Sequence, residues 1–99
     1  MKVHFSRRSR RDLAEIGDYI AKDSPRQAYR LVSRLEDYCA GLAEKSRRFP
    51  VVRERSGAEL RRAVSGSYSI FYVVQLDTVS IVRILHSASD FEKLFGADD

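Results

Sequence analysis

The chain has 99 residues and a net charge of +4, which is the size of one domain (residues 1–99) with one modest hydrophobic core. No apolar run approaches the roughly 18 residues of a membrane-spanning helix, and charge at Arg7 and Arg8 interrupts any signal-peptide core, so we expect a cytoplasmic protein. A single cysteine and two separated histidines exclude an internal disulfide and a clustered metal site, and no cofactor is expected because no glycine-rich phosphate loop is present.

A strand and a first helix are predicted at the start of the chain. Lys2–Ser6 alternates polar and apolar side chains, which is typical of a short edge strand. Ser9 stands three residues before Asp12, a spacing typical of a helix N-terminus, and predicts a helix that runs to about Lys22.

A well-marked boundary predicts the second helix. Ser24 can cap it, Pro25 suits its first position, and Gln27 can complete a capping box. The helix is expected to run to about Glu44 along an apolar stripe that includes Cys39, a small buried side chain in this interpretation. Because the connection is so short, the two helices should form an antiparallel hairpin.

The last third of the chain predicts a three-stranded antiparallel sheet. Runs rich in β-branched and aromatic residues cover roughly Glu59–Ser65, Tyr68–Leu76 and Val79–Ser87, and the pairs Gly-Ser and Asp-Thr between them are typical of turns. Strict alternation along the last strand predicts one face with Arg83 and another with His86. Both faces are largely apolar, so we expect the helical hairpin to cover one face and this chain to cover the other only in part.

The segments on either side of this sheet complete the predicted fold. Ser46–Gly57 is predicted to be a loop that Phe49, Val51 and Val52 anchor to the core. Ser89–Phe95 predicts one or two helical turns. The fold class is therefore α+β in the order β-α-α-β-β-β, with a helical hairpin packed on an antiparallel sheet and a short C-terminal helix.

Basic residues concentrate in two places. Seven cations and two carboxylates give the stretch Lys45–Arg62 a charge of +5, and four arginines lie at the start of the first helix: Arg7, Arg8, Arg10 and Arg11. Cations in a first helical turn oppose the helix dipole, and either a bound anion or pairing with acidic neighbours would explain them. Such surfaces favour a nucleic acid or an acidic protein as partner, and charge alone does not choose between them.

Four segments stand in a characteristic order and spacing: RRDLAEIGDYIAKDSPRQA, FP, LRRAVSGSYSIFYVV and VRILHSASD. Their characteristic positions are Asp12, Leu13, Ile16, Tyr19, Ile20, Ala21, Pro25, Ala28, Leu60, Arg61, Tyr68, Ile70, Tyr72, Ile84, Leu85, His86 and Asp90. This arrangement resembles the ParE toxins of the RelE/ParE superfamily over nearly the whole chain. The chain departs from the family pattern at Ser89, where ParE-like chains often have arginine.

The resemblance implies the toxin of a type II toxin–antitoxin system, neutralised by a ParD-like antitoxin encoded beside it. The complex would bind operator DNA through the antitoxin. ParE toxins are associated with poisoning DNA gyrase by stabilising its cleaved-DNA state, whereas RelE toxins cut messenger RNA in the ribosomal A site. The resemblance therefore implies growth inhibition and plasmid stabilisation, with gyrase as the target and RelE-type cleavage as the alternative.

Cleavage of RelE type requires a proton carrier and several cations around the scissile phosphate, but no metal. The side chains available for it are His86, Arg61, Arg83 and Tyr72. Neither Ala63–Ser65 nor Ser87–Ser89 adds a cation. We therefore expect a toxin that acts by binding; a module that only represses its own operon with the antitoxin is a third interpretation.

The residues expected to contact the antitoxin or the target surround the basic loop. They are Phe49, Val51, Arg53, Arg55, Arg61, Arg62 and Asp90. Two of the candidate site residues can also have a purely structural role. Arg61 can pair with Glu59 or Asp90, and His86 can form a hydrogen bond with Asp90 and fix the end of the last strand.

Overall fold

A computed structural model gives the fold of residues 1–88, and the predicted helix over residues 89–95 lies outside this described part of the chain. The elements are β1 (Lys2–Phe5), α1 (Arg7–Ala21), α2 (Pro25–Gly41), β2 (Val51–Arg55), β3 (Ala58–Ser65), β4 (Tyr68–Gln75) and β5 (Thr78–His86). The helical hairpin packs on a sheet of strand order β1-β5-β4-β3-β2. The predicted α+β fold is confirmed, and because β1 is parallel to β5 the sheet is mixed.

The first helix begins earlier than predicted. The cap is Ser6, whose Oγ accepts a hydrogen bond from the backbone N–H of Ser9 at 3.0 Å, and α1 starts at Arg7. Ser9 is instead a fully buried residue inside the first turn, so its assignment as the cap was wrong. The predicted start of α2 is confirmed, because Ser24 Oγ accepts from the N–H of Gln27 at 3.2 Å, whereas the α-helix ends at Gly41 and Leu42–Glu44 continues it as a 3-10 turn.

The segment predicted to be a loop contains a strand. Val51–Arg55 forms β2 and pairs antiparallel with β3, so the prediction of an irregular 46–57 segment was wrong over these five residues. Ser56 and Gly57 connect the two strands with φ angles of 52° and 83°, the left-handed conformation that two-residue hairpin turns require. The sheet therefore has β2 as its second edge.

The core lies between the helical hairpin and one sheet face. Its buried members are Leu13, Leu35, Cys39, Leu42, Ala63, Ile70, Tyr72, Val79, Ile81 and Ile84. Cys39 is fully buried, as expected. Within residues 1–88, no helix is long and apolar enough to cross a membrane.

An irregularity in β5 changes which side chains face the core. Tyr72 pairs with Ile81 but the preceding Phe71 pairs with Arg83, so Val82 is an extra residue opposite this point of β4. Ile84 therefore joins the core beyond the bulge, and the predicted uniform alternation along this strand was wrong.

Candidate functional site

An ion pair fixes the first helix to the last strand. The residue Asp12 is 3 % exposed, and its Oδ2 accepts hydrogen bonds from Arg83 Nε at 2.8 Å and from the backbone N–H of Ile84 at 3.0 Å. Arg83 Nη2 donates to Oδ1 at 3.2 Å, and Arg8 Nη2 lies 3.6 Å from that oxygen. Because this carboxylate engages the Arg83 guanidinium through two bonds, Arg83 has a structural role at the junction of α1 and β5.

A cleft of about 320 Å³ opens beside this ion pair, between α1 and the ends of β4 and β5. The helix contributes side chains at the spacing i, i+4, i+7 and i+11: Arg8, Asp12, Glu15 and Tyr19. Positions at this spacing lie on one face of a helix, and this periodicity is the signal in the sequence that these four side chains share a surface.

The sheet side of the cleft carries the histidine proposed as a proton carrier. The His86 ring packs edge-on against Tyr68 with 5.4 Å between ring centroids, and His86 Nδ1 accepts a hydrogen bond from the N–H of Ala88 at 3.2 Å. Desolvation by burial, together with the nearby Tyr19 phenol, raises the pKa of Tyr68, so its hydroxyl stays protonated near neutral pH.

Arg61 ties the loop before β2 to the sheet. Its Nη1 donates to the carbonyl oxygens of Phe49 at 2.6 Å and of Arg47 at 3.3 Å. Its Nη2 lies 3.4 Å from Glu59 Oε1, and the Arg61 side chain is 14 % exposed. The pairing with Glu59 that the sequence offered is thus present, and the loop carbonyls are additional partners that hold the basic loop in place.

Tyr72 is part of the core. It is fully buried, and its hydroxyl donates to the carbonyl oxygen of Ser46 at 2.8 Å. Desolvation by burial raises the pKa of Tyr72, against a smaller lowering by Arg61. A buried, protonated phenol does not contact a substrate in this conformation, so Tyr72 closes the core beneath the loop.

Arg62 belongs to a hydrogen-bonded network on the sheet face opposite the helices. Its Nε donates to Ser69 Oγ at 3.0 Å, and Ser69 Oγ lies 2.9 Å from Ser87 Oγ. The backbone N–H of Arg62 donates to the carbonyl oxygen of Pro50 at 3.1 Å. This network joins β3, β4 and the end of β5, and its central residue, Ser69, is fully buried.

The remaining expected binding residues lie along the β2 edge. Val51 and Val52 are each 40 % exposed, Arg55 is exposed and Arg53 is half-buried. Within residues 1–88, β2 pairs with β3 alone and is therefore an edge strand, the position in a sheet at which another strand can join. Asp90 lies outside the described residues.

The structure divides the four side chains proposed for cleavage between two places, Arg61 with Tyr72 and Arg83 with His86. Arg61 is in register with Tyr72, whereas His86 is in register with Tyr68, and four residues of a strand span about 13 Å. Arg83 and His86 share the cleft, but the Arg83 charge is paired with Asp12. Within residues 1–88 there is also no group of three side chains that could hold a metal ion.

A second basic surface lies at the start of α1. Among the described residues, Arg7, Arg8 and Arg11 line a depression of about 440 Å³. Arg10 has other contacts, because its Nε donates to the carbonyl oxygen of Phe5 at 3.3 Å and its guanidinium lies 5.9 Å from the centre of the Phe5 ring. Three of the four arginines in the sequence cluster therefore share one surface.

Comparison with known protein families identifies the chain. The model for the ParE toxin of the type II toxin–antitoxin system parDE matches residues 3–91. The chain belongs to this ParE toxin family. This match confirms the resemblance found in the sequence. Membership of the family makes this ParE toxin the toxin of a type II toxin–antitoxin system. A comparison with curated protein sequences gave no match.

Two solved toxin–antitoxin structures share the fold of this ParE toxin. One is the chromosomal ParDE system from P. aeruginosa, with a TM-score of 0.70 and 20 % identity over 87 % of this chain and 95 % of that chain. The other is the RelBE2 toxin–antitoxin complex from Mycobacterium tuberculosis, with a TM-score of 0.61 and 25 % identity over 86 % of this chain and 95 % of that chain.

Proposed function

We propose that this ParE toxin inhibits DNA gyrase in the cytoplasm by binding, and that a ParD-like antitoxin encoded beside it neutralises it. In this proposal the toxin–antitoxin complex binds operator DNA through the antitoxin, and release of the toxin arrests growth and so stabilises a plasmid that carries the pair. The family supports the toxin assignment, and the gyrase target is what ParE membership leads us to expect.

One observation favours binding over catalysis: the side chains that a nuclease would use are engaged in structural contacts. Arg83 is held by Asp12 at 2.8 Å, and the Tyr72 hydroxyl is buried against a backbone carbonyl. Arg61 lies about four strand residues from the level of His86 and donates to loop carbonyls. Stabilising the charge on a cleaving phosphate needs several convergent cations, and these residues do not converge.

The antitoxin is proposed to cover the β2 edge. This surface combines the edge strand of the described sheet, the exposed side chains of Val51 and Val52, and the basic charge of Arg55 and its neighbours. An acidic, partly extended segment can pair with such an edge through backbone hydrogen bonds, while its apolar side chains contact the two valines. The proposed surface includes Phe49, Val51, Arg53, Arg55, Arg61, Arg62 and Asp90.

A supercoiling assay with purified gyrase tests the proposed target. The toxin should block supercoiling of relaxed plasmid, and linear DNA should accumulate after detergent and protease release the stabilised cleavage complexes. In parallel, primer extension on a translated messenger RNA should show no codon-specific cleavage. Unchanged supercoiling together with cleavage of the translated message would establish the RelE-type alternative and overturn the proposal.

The antitoxin surface requires a separate measurement. The variants Val51→Asp and Arg55→Glu should weaken binding of the antitoxin from the adjacent gene, because they remove an apolar contact and reverse a charge at the β2 edge. Leu76→Asp is the matched control, since Leu76 is 96 % exposed at the β4–β5 turn, with β3 between β4 and β2. If calorimetry gives all three variants the affinity of the wild-type toxin for the antitoxin, the antitoxin docks elsewhere.

A further inference from the structure

The arginine surface at the start of α1 has no role in the proposed antitoxin interface. Arg7, Arg8 and Arg11 line one depression, and the β1–α1 junction that carries them leads into the sheet edge opposite β2. Within residues 1–88 the one carboxylate within 4.0 Å of these guanidinium groups is that of Asp12, which lies 3.6 Å from Arg8 and is also paired with Arg83, while Glu15 lines the adjoining cleft with Arg8. Three guanidinium groups line the depression and one of them is ion-paired within 4.0 Å, so the surface carries an excess of positive charge.

The local backbone adds to this positive potential. The Ser6 cap accepts from the N–H of Ser9 through its side chain and from Arg10 through its carbonyl oxygen. Among the described residues, the backbone N–H groups of Arg7 and Arg8 have no acceptor, and the first turn contains no acidic side chain. Unpaired amides at a helix N-terminus and guanidinium groups both bind phosphate oxygens.

This arrangement is unfavourable for the isolated chain. Each cation in the first turn opposes the helix dipole. A bound anion removes that cost, since its charge is attracted to the dipole and to the guanidinium groups together.

The chemistry of the surface favours a phosphate backbone over an acidic protein segment. The described side chains that line the depression are all arginine, with no apolar residue among them, whereas the β2 edge offers exposed valines. Guanidinium groups bind phosphate and carboxylate alike in a bidentate manner, so the preference for phosphate rests on the lack of apolar residues in the lining. We propose that Arg7, Arg8 and Arg11 form a binding surface for the phosphates of duplex DNA. In the cell these phosphates belong to the DNA that gyrase holds, and this part of the inference rests on the proposed function.

Fluorescence anisotropy with a labelled 20-base-pair duplex tests this surface without gyrase. The full chain is compared with Arg7→Ala/Arg11→Ala at about 50–200 mM KCl. The matched control is Arg26→Ala/Arg30→Ala, which removes the same charge at the same i, i+4 spacing from two exposed positions at the start of α2. Circular dichroism checks folding, and the α1 variant should fold at least as well as wild type because it removes the dipole conflict.

The α1 variant should lose about tenfold or more in affinity at 50 mM KCl. The slope of log K against log salt concentration should fall by about 2, since each phosphate contact contributes about 0.9. The α2 variant should keep most of the wild-type slope. Equal losses in the two variants would show a response to net charge alone and overturn the inference, as would absence of DNA binding or an α1-dependent preference for polyglutamate.

The same variants separate this inference from the proposed function. Gyrase inhibition by wild type, with DNA affinity unchanged in the α1 variant, would overturn the DNA surface and leave the proposed target standing. DNA binding that depends on Arg7 and Arg11, without any effect on gyrase, would support the surface and overturn the target.

Discussion

Removing the Asp12 carboxylate should be among the most damaging single changes in this protein. Asp12→Ala leaves the Arg83 guanidinium and the N–H of Ile84 without the acceptor that now receives three of their hydrogen bonds. The carboxylate is the junction between α1 and β5, so its loss weakens the packing of the helical hairpin on the sheet.

The size of the effect follows from burial. Breaking a buried ion pair from one side costs about 3–5 kcal/mol, and an unpaired buried N–H costs about 1–3 kcal/mol when it cannot reach water. The Arg83 side chain is 16 % exposed and can recover some hydration, which places the expected loss near the lower end, about 3 kcal/mol. At about 4–8 °C per kcal/mol for a domain of this size, the melting temperature should fall by roughly 12 °C or more.

Urea unfolding followed by circular dichroism measures this loss. Asp18→Ala is the matched control, because Asp18 is an exposed carboxylate in the same helix and its removal should change stability by less than about 0.5 kcal/mol. Arg83→Met added to Asp12→Ala should recover part of the loss by removing the unpaired cation. A loss below about 1 kcal/mol for Asp12→Ala would refute the assignment of this ion pair as the helix–sheet anchor.

Three further changes test local features of the fold by urea unfolding. Tyr72→Phe should cost about 1 kcal/mol, since it leaves the Ser46 carbonyl unpaired, whereas Tyr29→Phe at a 75 % exposed position should cost nothing measurable; equal effects would contradict the buried hydrogen bond. Leu76→Asn should raise stability by about 0.5–1 kcal/mol, because Leu76 has a φ of 54° and is 96 % exposed; a loss would contradict the strain. Burial raises the pKa of Cys39 from 9.0 to about 12, so the unfolded thiol ionises first and stability should fall between about pH 9 and 12. Cys39→Ala should flatten that fall, and an unchanged slope would count against burial as its cause.

The sequence predicted the structure best where an element depends on residues that are close together in the chain. The start of α2 was predicted correctly because Ser24, Pro25 and Gln27 form a cap through contacts of three residues or fewer. The strand Val51–Arg55 was missed because its sequence lacks strict alternation and its identity comes from pairing with β3. The pair Ser56-Gly57 was a local signal for this hairpin and was not used.

The candidate site depended on contacts that no local pattern reveals. Asp12 and Arg83 are 71 positions apart, and the bulge at Val82 that shifts the register of β5 comes from strand pairing. The alternative role of Arg61 beside Glu59 could be proposed from their proximity in the sequence, but its stronger contact is with a loop carbonyl twelve residues away.

A titration of gyrase with this toxin tests most directly whether the protein acts by binding. Supercoiling is measured at several gyrase concentrations, each with increasing toxin. If the toxin is a binding inhibitor, the amount needed for half-inhibition should rise in proportion to gyrase when the enzyme concentration exceeds the dissociation constant. Supercoiling that persists at a large molar excess of folded toxin, in a preparation that cleaves ribosome-bound messenger RNA catalytically, would contradict the account.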